Sequence, residues 1–296
     1  MKAQLLTAFG GVENFTLTEV PTPVPGPGQV LVRTNAFGVN SLECKIRAGT
    51  VQHAFPTPLP VILGKEIAGH VTKVGDGVTG LAVGDRVVGF ADSGAYAEYA
   101  VARVEALTIL PDALEFTAAV TLPVAVETAT RGIAALGVQS GWTVVVNGAT
   151  GAVGTAVVQL LAAQGVTVIG TASERNHEHL ASFGATPIAY GQTIRRPVDA
   201  VYDVTGHGFV PTAIELTGDP RRVLTIADFT AARLGVLTST GAGKQTAESF
   251  APVLPLAAEG KFRTVIDRVF PFTDIAEAHT RSEQGHARGK IVVQSG

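Results

Sequence analysis

One stretch restricts the fold more than any other: VVVNGATGAVG, residues 144–154. A β-branched run, Thr143–Asn147, enters a glycine-rich turn and leaves as an apolar helix, Ala152–Gln164. A second β run follows at Val166–Thr171. Strand, turn, helix and strand within one βαβ length imply a parallel sheet. The small residues Ala149, Thr150, Gly151, Ala152, Val153 and Gly154 let the backbone approach a pyrophosphate. The first helical N–H groups and the positive end of the helix dipole would face that anion. Gly154 would permit close packing of the helix on the sheet. Ala149 stands where a G-x-G-x-x-G pattern has its first glycine, so an ordinary βαβ unit without ligand is the competing reading.

The second β run selects between the two nicotinamide dinucleotides. NAD readers carry Asp or Glu at its end, bonding the ribose 2′-OH. Here the run ends Ile169-Gly-Thr-Ala-Ser-Glu-Arg175, with no acid at Thr171 or Ala172. Ser173 and Arg175 follow, and a guanidinium suits a 2′-phosphate. NADP(H) is therefore the expected cofactor. Glu174 either points to solvent or takes the acid's place.

Further β–α alternation continues this pattern. Glu178–Phe183 reads as a short helix closed by Gly184, and Ala200–Val204 and Val223–Ile226 as strands. Before it, Phe116–Leu136 is Ala-rich and helix-like, interrupted near Pro123. The first ~115 residues differ, being rich in Val, Gly and Pro. Val20–Gly28 contains four prolines and cannot be a helix. Gln29–Thr34, Ile67–Val74 and Asp85–Phe90 are β candidates between glycine turns. Late β runs at Thr264–Val269 and Lys290–Gln294 are placed to return to this first domain. The expected fold is α/β: a Rossmann doubly wound parallel sheet, residues 116–262, inserted in a β-rich domain built from both chain ends, 1–115 with 263–296.

Composition narrows the functional classes. Of 296 residues, 46% are apolar and 16% charged, which excludes a disordered chain. Net charge is −3, so no basic excess collects phosphate backbones, and no nucleic-acid partner is expected. Cys44 is the single cysteine, which excludes an intrachain disulfide and a thiolate-rich zinc site. No residue from Gly132 to Ser173 is charged, yet Gly141, Gly148 and Gly165 divide that stretch below the ~20 apolar residues a bilayer requires. With no secretory apolar run in MKAQLLTAFGG, a cytoplasmic protein without a membrane partner is expected.

Several stretches, taken in order, resemble the zinc-independent quinone oxidoreductase branch of the medium-chain dehydrogenase/reductase superfamily. They are Gly38–Gly49 (GVNSLECKIRAG), Pro60–Gly69 (PVILGKEIAG), Val83–Gly89 (VGDRVVG), Gly94–Tyr99 (GAYAEY), the glycine turn, and Gly285–Val293 (GHARGKIVV). The resemblance implies a GroES-like substrate domain from both termini, a Rossmann domain between them, and an active site in their cleft. In zinc-dependent relatives a cysteine and a histidine occupy the positions of Asn40 and Lys65. An amide binds zinc poorly and an ammonium has no free lone pair. Without a Lewis acid, hydride delivery to an electron-poor acceptor, a quinone or an α,β-unsaturated carbonyl, is the expected chemistry.

The resemblance also assigns roles. Asn40 is expected near the nicotinamide or the substrate carbonyl, and Thr128 near the nicotinamide ribose or ring. Gly206 and Ala227 belong to strand-end loops beside the cofactor, and Tyr190 to the adenine-ribose phosphate. Packing roles for Thr128 and Tyr190 are equally open. Lys65 either supplies positive charge to an oxyanion or is a surface lysine, the reading favoured by composition. His53 reads as a solvated loop histidine. A tyrosine acid found after the Arg-x-Gly stretch of some enoyl reductases is replaced by Thr50 and Val51. Two other classes stay open: a tailoring enoyl reductase on a biosynthetic, carrier-bound intermediate, and a non-catalytic NADPH-binding protein. Arg233–Thr240 is a candidate edge for a homodimer, and Thr50–Pro60 with Gly241–Phe250 are candidate pocket walls.

Overall fold

The computed structural model describes residues 1–241 and 245–295, and the call on Gly241–Phe250 therefore falls partly, at 242–244, outside the described residues. The chain forms two compact units, Met1–Val124 with Gln245–Gly296, and Ala125–Lys244. These limits differ from those expected from sequence, 115/116 and 262/263, because flanking segments pack with the first unit. Phe116 meets His70 edge-on with ring centroids 5.0 Å apart, and the Arg86 guanidinium lies over its ring. Phe250 meets Phe90 edge-on at 5.5 Å.

The first unit holds strands β1 (Lys2–Leu6), β2 (Phe15–Glu19), β3 (Gln29–Val39), β4 (Val61–Ile62), β5 (Glu66–Val74), β6 (Arg86–Phe90), β7 (Tyr99–Arg103) and β8 (Leu107–Ile109). The second holds β9 (Thr143–Asn147), β10 (Thr167–Thr171), β11 (Ala185–Ile188), β12 (Ala200–Asp203), β13 (Val223–Thr225) and β14 (Leu237–Thr238). The chain then adds β15 (Ile266–Pro271) and β16 (Lys290–Gln294) to the first unit. Helices are α1 (Ser41–Arg47), α2 (Phe116–Ala119), α3 (Pro123–Leu136), α4 (Ala152–Ala163), α5 (His177–Ala181), α6 (Val210–Thr217), α7 (Val253–Ala258) and α8 (Ile275–Glu283).

β3 organises the first unit. It runs five residues beyond the expected Thr34 because it has two successive partners on one edge. β7 pairs Gln29–Arg33, and β16 pairs Ala36–Val39. β5 covers the other edge, with a register shift between Thr34 and Ala36. The late strands thus return to the N-terminal domain as expected, in the order β15-β16-β3-β5-β6-β8. Alternate side chains fill one core, including Val30, Val32, Phe37, Ile67, Val71 and Val87. Tyr96 lies inside it, its hydroxyl 3.1 Å from His279 Nε2. Burial, with the Arg47 charge nearby, pushes His279 down to about 3.

In the second unit six parallel strands run in the order β11-β10-β9-β12-β13-β14. The chain winds outward from β9 to β11, crosses back to β12 and winds out the other way. β9 and β12 therefore flank a topological switch point, and ligands bind at the carboxyl ends of strands there. Val144, Val145, Val146, Val201 and Tyr202 are all fully buried, as strands covered on both faces require. The proposed dimer stretch Arg233–Thr240 supplies β14, the outermost strand. The 21-residue stretch Phe116–Leu136 has the length and apolarity to cross a membrane, but it is mostly buried, and Val120–Leu122 divide it into two helices.

Candidate nucleotide site and buried polar clusters

The turn after β9 fits a phosphate group. Gly148 has φ +82°, a left-handed conformation that favours glycine, and a Cβ there would strike the Thr205 methyl at 2.2 Å. A Cβ on Gly154 would come within 2.1 Å of the Gly148 carbonyl oxygen, so the helix lies directly on its own turn. Gly151 is the N-cap of α4, with Ala152 and Val153 its first residues. No acid stands in the first turn of α4, so the helix end keeps its positive field. The leading N–H groups of a helix lack intrahelical acceptors.

Ala149, the departure from the glycine pattern, is fully buried, and Thr150 nearly so. The Ala149 methyl is accommodated by Gly170 on β10, where an added Cβ would lie 2.7 Å from it. The two small residues, one in the turn and one on β10, compensate each other.

Ser173 and Arg175 follow β10 on a short turn of 3-10 helix, Glu174–Asn176. Arg175 is exposed and makes no ion pair among the described residues; Glu174 is exposed beside it. Tyr190 follows β11 and is 55% exposed. Thr171 pairs with Ile188, so Arg175 and Tyr190 belong to adjacent strand ends at one sheet edge. Gly206 and Ala227 follow β12 and β13 and also meet, a Cβ on Gly206 lying 3.3 Å from Ala227 Cβ. In the Gly206 loop His207, not singled out from sequence, takes φ +46°. Thr128 on α3 is anchored through its carbonyl, which accepts the Tyr202 hydroxyl at 2.7 Å.

Asn40 and Lys65 part company. Lys65 is exposed. Asn40 is half-buried and joins a cluster of charged groups in the first unit. Its Nδ2 donates to Glu43 Oε1 at 3.2 Å and to Glu66 Oε1 at 3.1 Å. Its Oδ1 accepts from Lys290 Nζ at 2.5 Å. Both amide protons are thereby committed, which leaves none for a substrate carbonyl in this arrangement. The cation of the cluster is Lys290, 2% exposed and 2.5 Å from the Glu66 carboxylate. Glu66 also accepts the backbone N–H of Val124 at 2.9 Å. Gly38 makes room for it, since a Cβ there would sit 2.1 Å from Glu66 Oε1.

Glu43 accepts the backbone N–H of Asn40 at 2.8 Å, which fixes the start of α1. Burial and the neighbouring Glu66 charge push Glu43 up to about 7, against the pull of Lys290. Sequence reasoning missed Lys290. The available signal was a lysine opening the apolar strand Lys290–Gln294, since a lysine drawn into a core needs a carboxylate. Among the described residues, no three His, Cys, Asp or Glu side chains group as metal ligands.

A doubly wound parallel sheet with a phosphate-fitting turn, alongside a β-rich unit closed by both chain ends, defines a class of two-unit nucleotide-binding proteins. Residues 26–112 match the alcohol dehydrogenase GroES-like domain and residues 127–293 the zinc-binding dehydrogenase domain. The chain belongs to this family, the medium-chain dehydrogenases/reductases. It is similar to the chloroplastic quinone-oxidoreductase QR1 of Triphysaria versicolor, 31% identical over 96% of this chain and 95% of that protein. It is equally similar, at 31%, to a chloroplastic NADPH-dependent alkenal/one oxidoreductase of Arabidopsis thaliana, covering 99% of this chain and 79% of that one. The solved quinone oxidoreductase of Coxiella burnetii superposes with a TM-score of 0.91 at 30% identity, covering 99% of each chain.

Proposed function

We propose that this chain is an NADP(H)-dependent, metal-free oxidoreductase that reduces a quinone or an α,β-unsaturated carbonyl. The observation that carries the reading is the carboxyl edge of the parallel sheet. Its turn admits a diphosphate at the start of α4, where Gly148 and Gly154 leave no room for side chains. At the ends of the next two strands, β10 and β11, the edge offers Arg175 and Tyr190, with no acid at the end of β10. An arginine without a carboxylate partner is matched to a 2′-phosphate. The relatives named for quinone and alkenal/one reduction support the substrate class.

When bound, NADPH supplies a hydride to an electron-poor carbon, and a proton from water completes the reduction. The chain's own residues do the rest. The α4 N–H groups neutralise the diphosphate, Arg175 discriminates the extra phosphate, and the Gly206 and Ala227 loops line the sheet edge. The metal-free reading rests on donor chemistry: Asn40 is bound into its cluster and Lys65 is an ammonium. The test is loss of NADPH absorbance against a panel of quinones and enones, compared with NADH. Oxidation that is faster with NADPH is expected. Tight NADPH binding with no turnover on any acceptor would instead make the chain a non-catalytic nucleotide binder.

A further inference from the structure

At the carboxyl edge of the parallel sheet, one buried carboxylate collects hydrogen bonds from several strand ends. Asp203, the last residue of β12, is 0% exposed. Among the described residues it makes no ion pair. Its Oδ1 accepts from Asn147 Nδ2 at 2.9 Å, Gly206 N at 3.0 Å and Thr205 N at 3.3 Å. Its Oδ2 accepts from Thr225 Oγ1 at 2.8 Å.

Two branches extend outward. On the β10 side, Gly148 N donates to Thr171 Oγ1 at 2.9 Å, and that hydroxyl donates to Asn147 Oδ1 at 2.7 Å. On the β13 side, Ala227 N and Asp228 N each donate to Thr225 Oγ1 at 3.2 Å. These chains lead to Asp203, through Thr225 on one side and through Thr171 and then Asn147 on the other, while Asn147 Nδ2 also donates to Thr205 Oγ1 at 2.9 Å. Hydrogen bonds aligned in this way polarise one another, and a buried carboxylate without a cation depends on them. The link between Asn147 and Asp203 spans the switch point between β9 and β12. One consequence is directional. The N–H groups of Gly148, Thr205, Gly206, Ala227 and Asp228 are turned inward, leaving the α4 N–H groups to meet an anion.

We infer that Asp203 is a positioning residue which, through Asn147, Thr171 and Thr225, holds the Gly148 turn, the Gly206 loop and the Ala227 loop as one unit for nucleotide binding. The inference rests on the NADPH reading above. Valine is nearly isosteric with threonine, so Thr171→Val cuts one branch and Thr225→Val the other. Fluorescence titration of NADPH onto the full chain gives Kd for wild type, both single variants and the double variant. Urea unfolding without nucleotide reports any general damage.

Each single cut should weaken NADPH by about tenfold, and the double variant by much less than the product, because side chains acting as one network are non-additive. Thr171→Ser and Thr225→Ser, which keep the hydroxyl, should bind close to wild type. Multiplicative losses, serine variants no better than valine ones, or single cuts that leave Kd unchanged would each overturn the inference. A wild-type chain that binds no NADPH would overturn the cofactor reading itself, a result separable from the others.

Discussion

Each unit buries carboxylates around an asparagine, and the two do it by opposite means. In the β-rich unit, Glu43 and Glu66 surround Asn40, and a lysine from the far end of the chain supplies the charge. In the parallel-sheet unit, Asp203 sits beside Asn147 with only hydroxyl, amide and backbone donors. Topology accounts for the difference. Parallel strands end side by side, so their loops offer many N–H groups to a single carboxylate. In the first unit Glu66 begins β5 among paired strands, where most backbone donors are already committed to ladders. A cation from a distant strand, the buried Lys290 ammonium, has to be imported. The first arrangement is a fragile one, because removing one partner strands a charge.

The largest expected effect tests that fragility. Lys290→Met leaves the buried Glu66 carboxylate without its cation and should cost about 3–5 kcal/mol in urea unfolding. Adding Glu66→Gln should recover part of the loss; no recovery would mean that Lys290 acts by packing alone.

Next comes the pH dependence of the same cluster. The folded chain holds the Glu43 proton up to about 7, above the ordinary 4.5. Its stabilising contribution is therefore full below about 4.5 and is lost as pH rises through 7. Glu43→Gln should abolish that decline, a change on the order of 3 kcal/mol between the two limits. His279 runs the other way: held near 3 against an ordinary 6.5, it favours the fold above 6.5 and loses that contribution as pH falls toward 3. Unfolding midpoints at pH 5 and pH 8 for wild type and Glu43→Gln separate the two trends. Equal differences in both proteins would remove Glu43 from the explanation.

Asp203→Asn should cost less, about 1–3 kcal/mol, since it weakens hydrogen bonds without stranding a cation. A cost as large as that of Lys290→Met would erase the contrast between the clusters. Smaller again is Arg175→Ala, expected to weaken NADPH about tenfold, or about 1.4 kcal/mol, while sparing NADH. Equal losses for both nucleotides would count against a phosphate contact. Chelation with EDTA should leave turnover unchanged, and activity lost to chelation but restored by zinc would overturn the metal-free reading.

Much of the parallel-sheet unit was legible because its signals are local. The limits of β9 match the expected strand, and α4 ends one residue before the expected Gln164. Val144–Val146 and the glycine turn need no distant partner to declare themselves. The β-rich unit was read less fully. The short strands β1, β4 and β8 carry little periodicity, and α1 is only seven residues long, hidden in the stretch that supplied the family resemblance. Asn40 was noticed there, but its setting was not, because its partner Lys290 lies 250 residues away. Lys65 drew attention through its place in a motif, but it is exposed, as the composition-based reading of it as a surface lysine expected.

The order of residues alone determined that a strand would run into a tight turn and an apolar helix, that a guanidinium would follow the next strand, and that both chain ends would build β structure. Those are matters of backbone preference, side-chain size and periodicity within one segment. Which polar groups share a buried site was decided only in three dimensions. The free energy of a buried charge depends on every donor within hydrogen-bond reach, and those donors come from strands that the sequence keeps far apart.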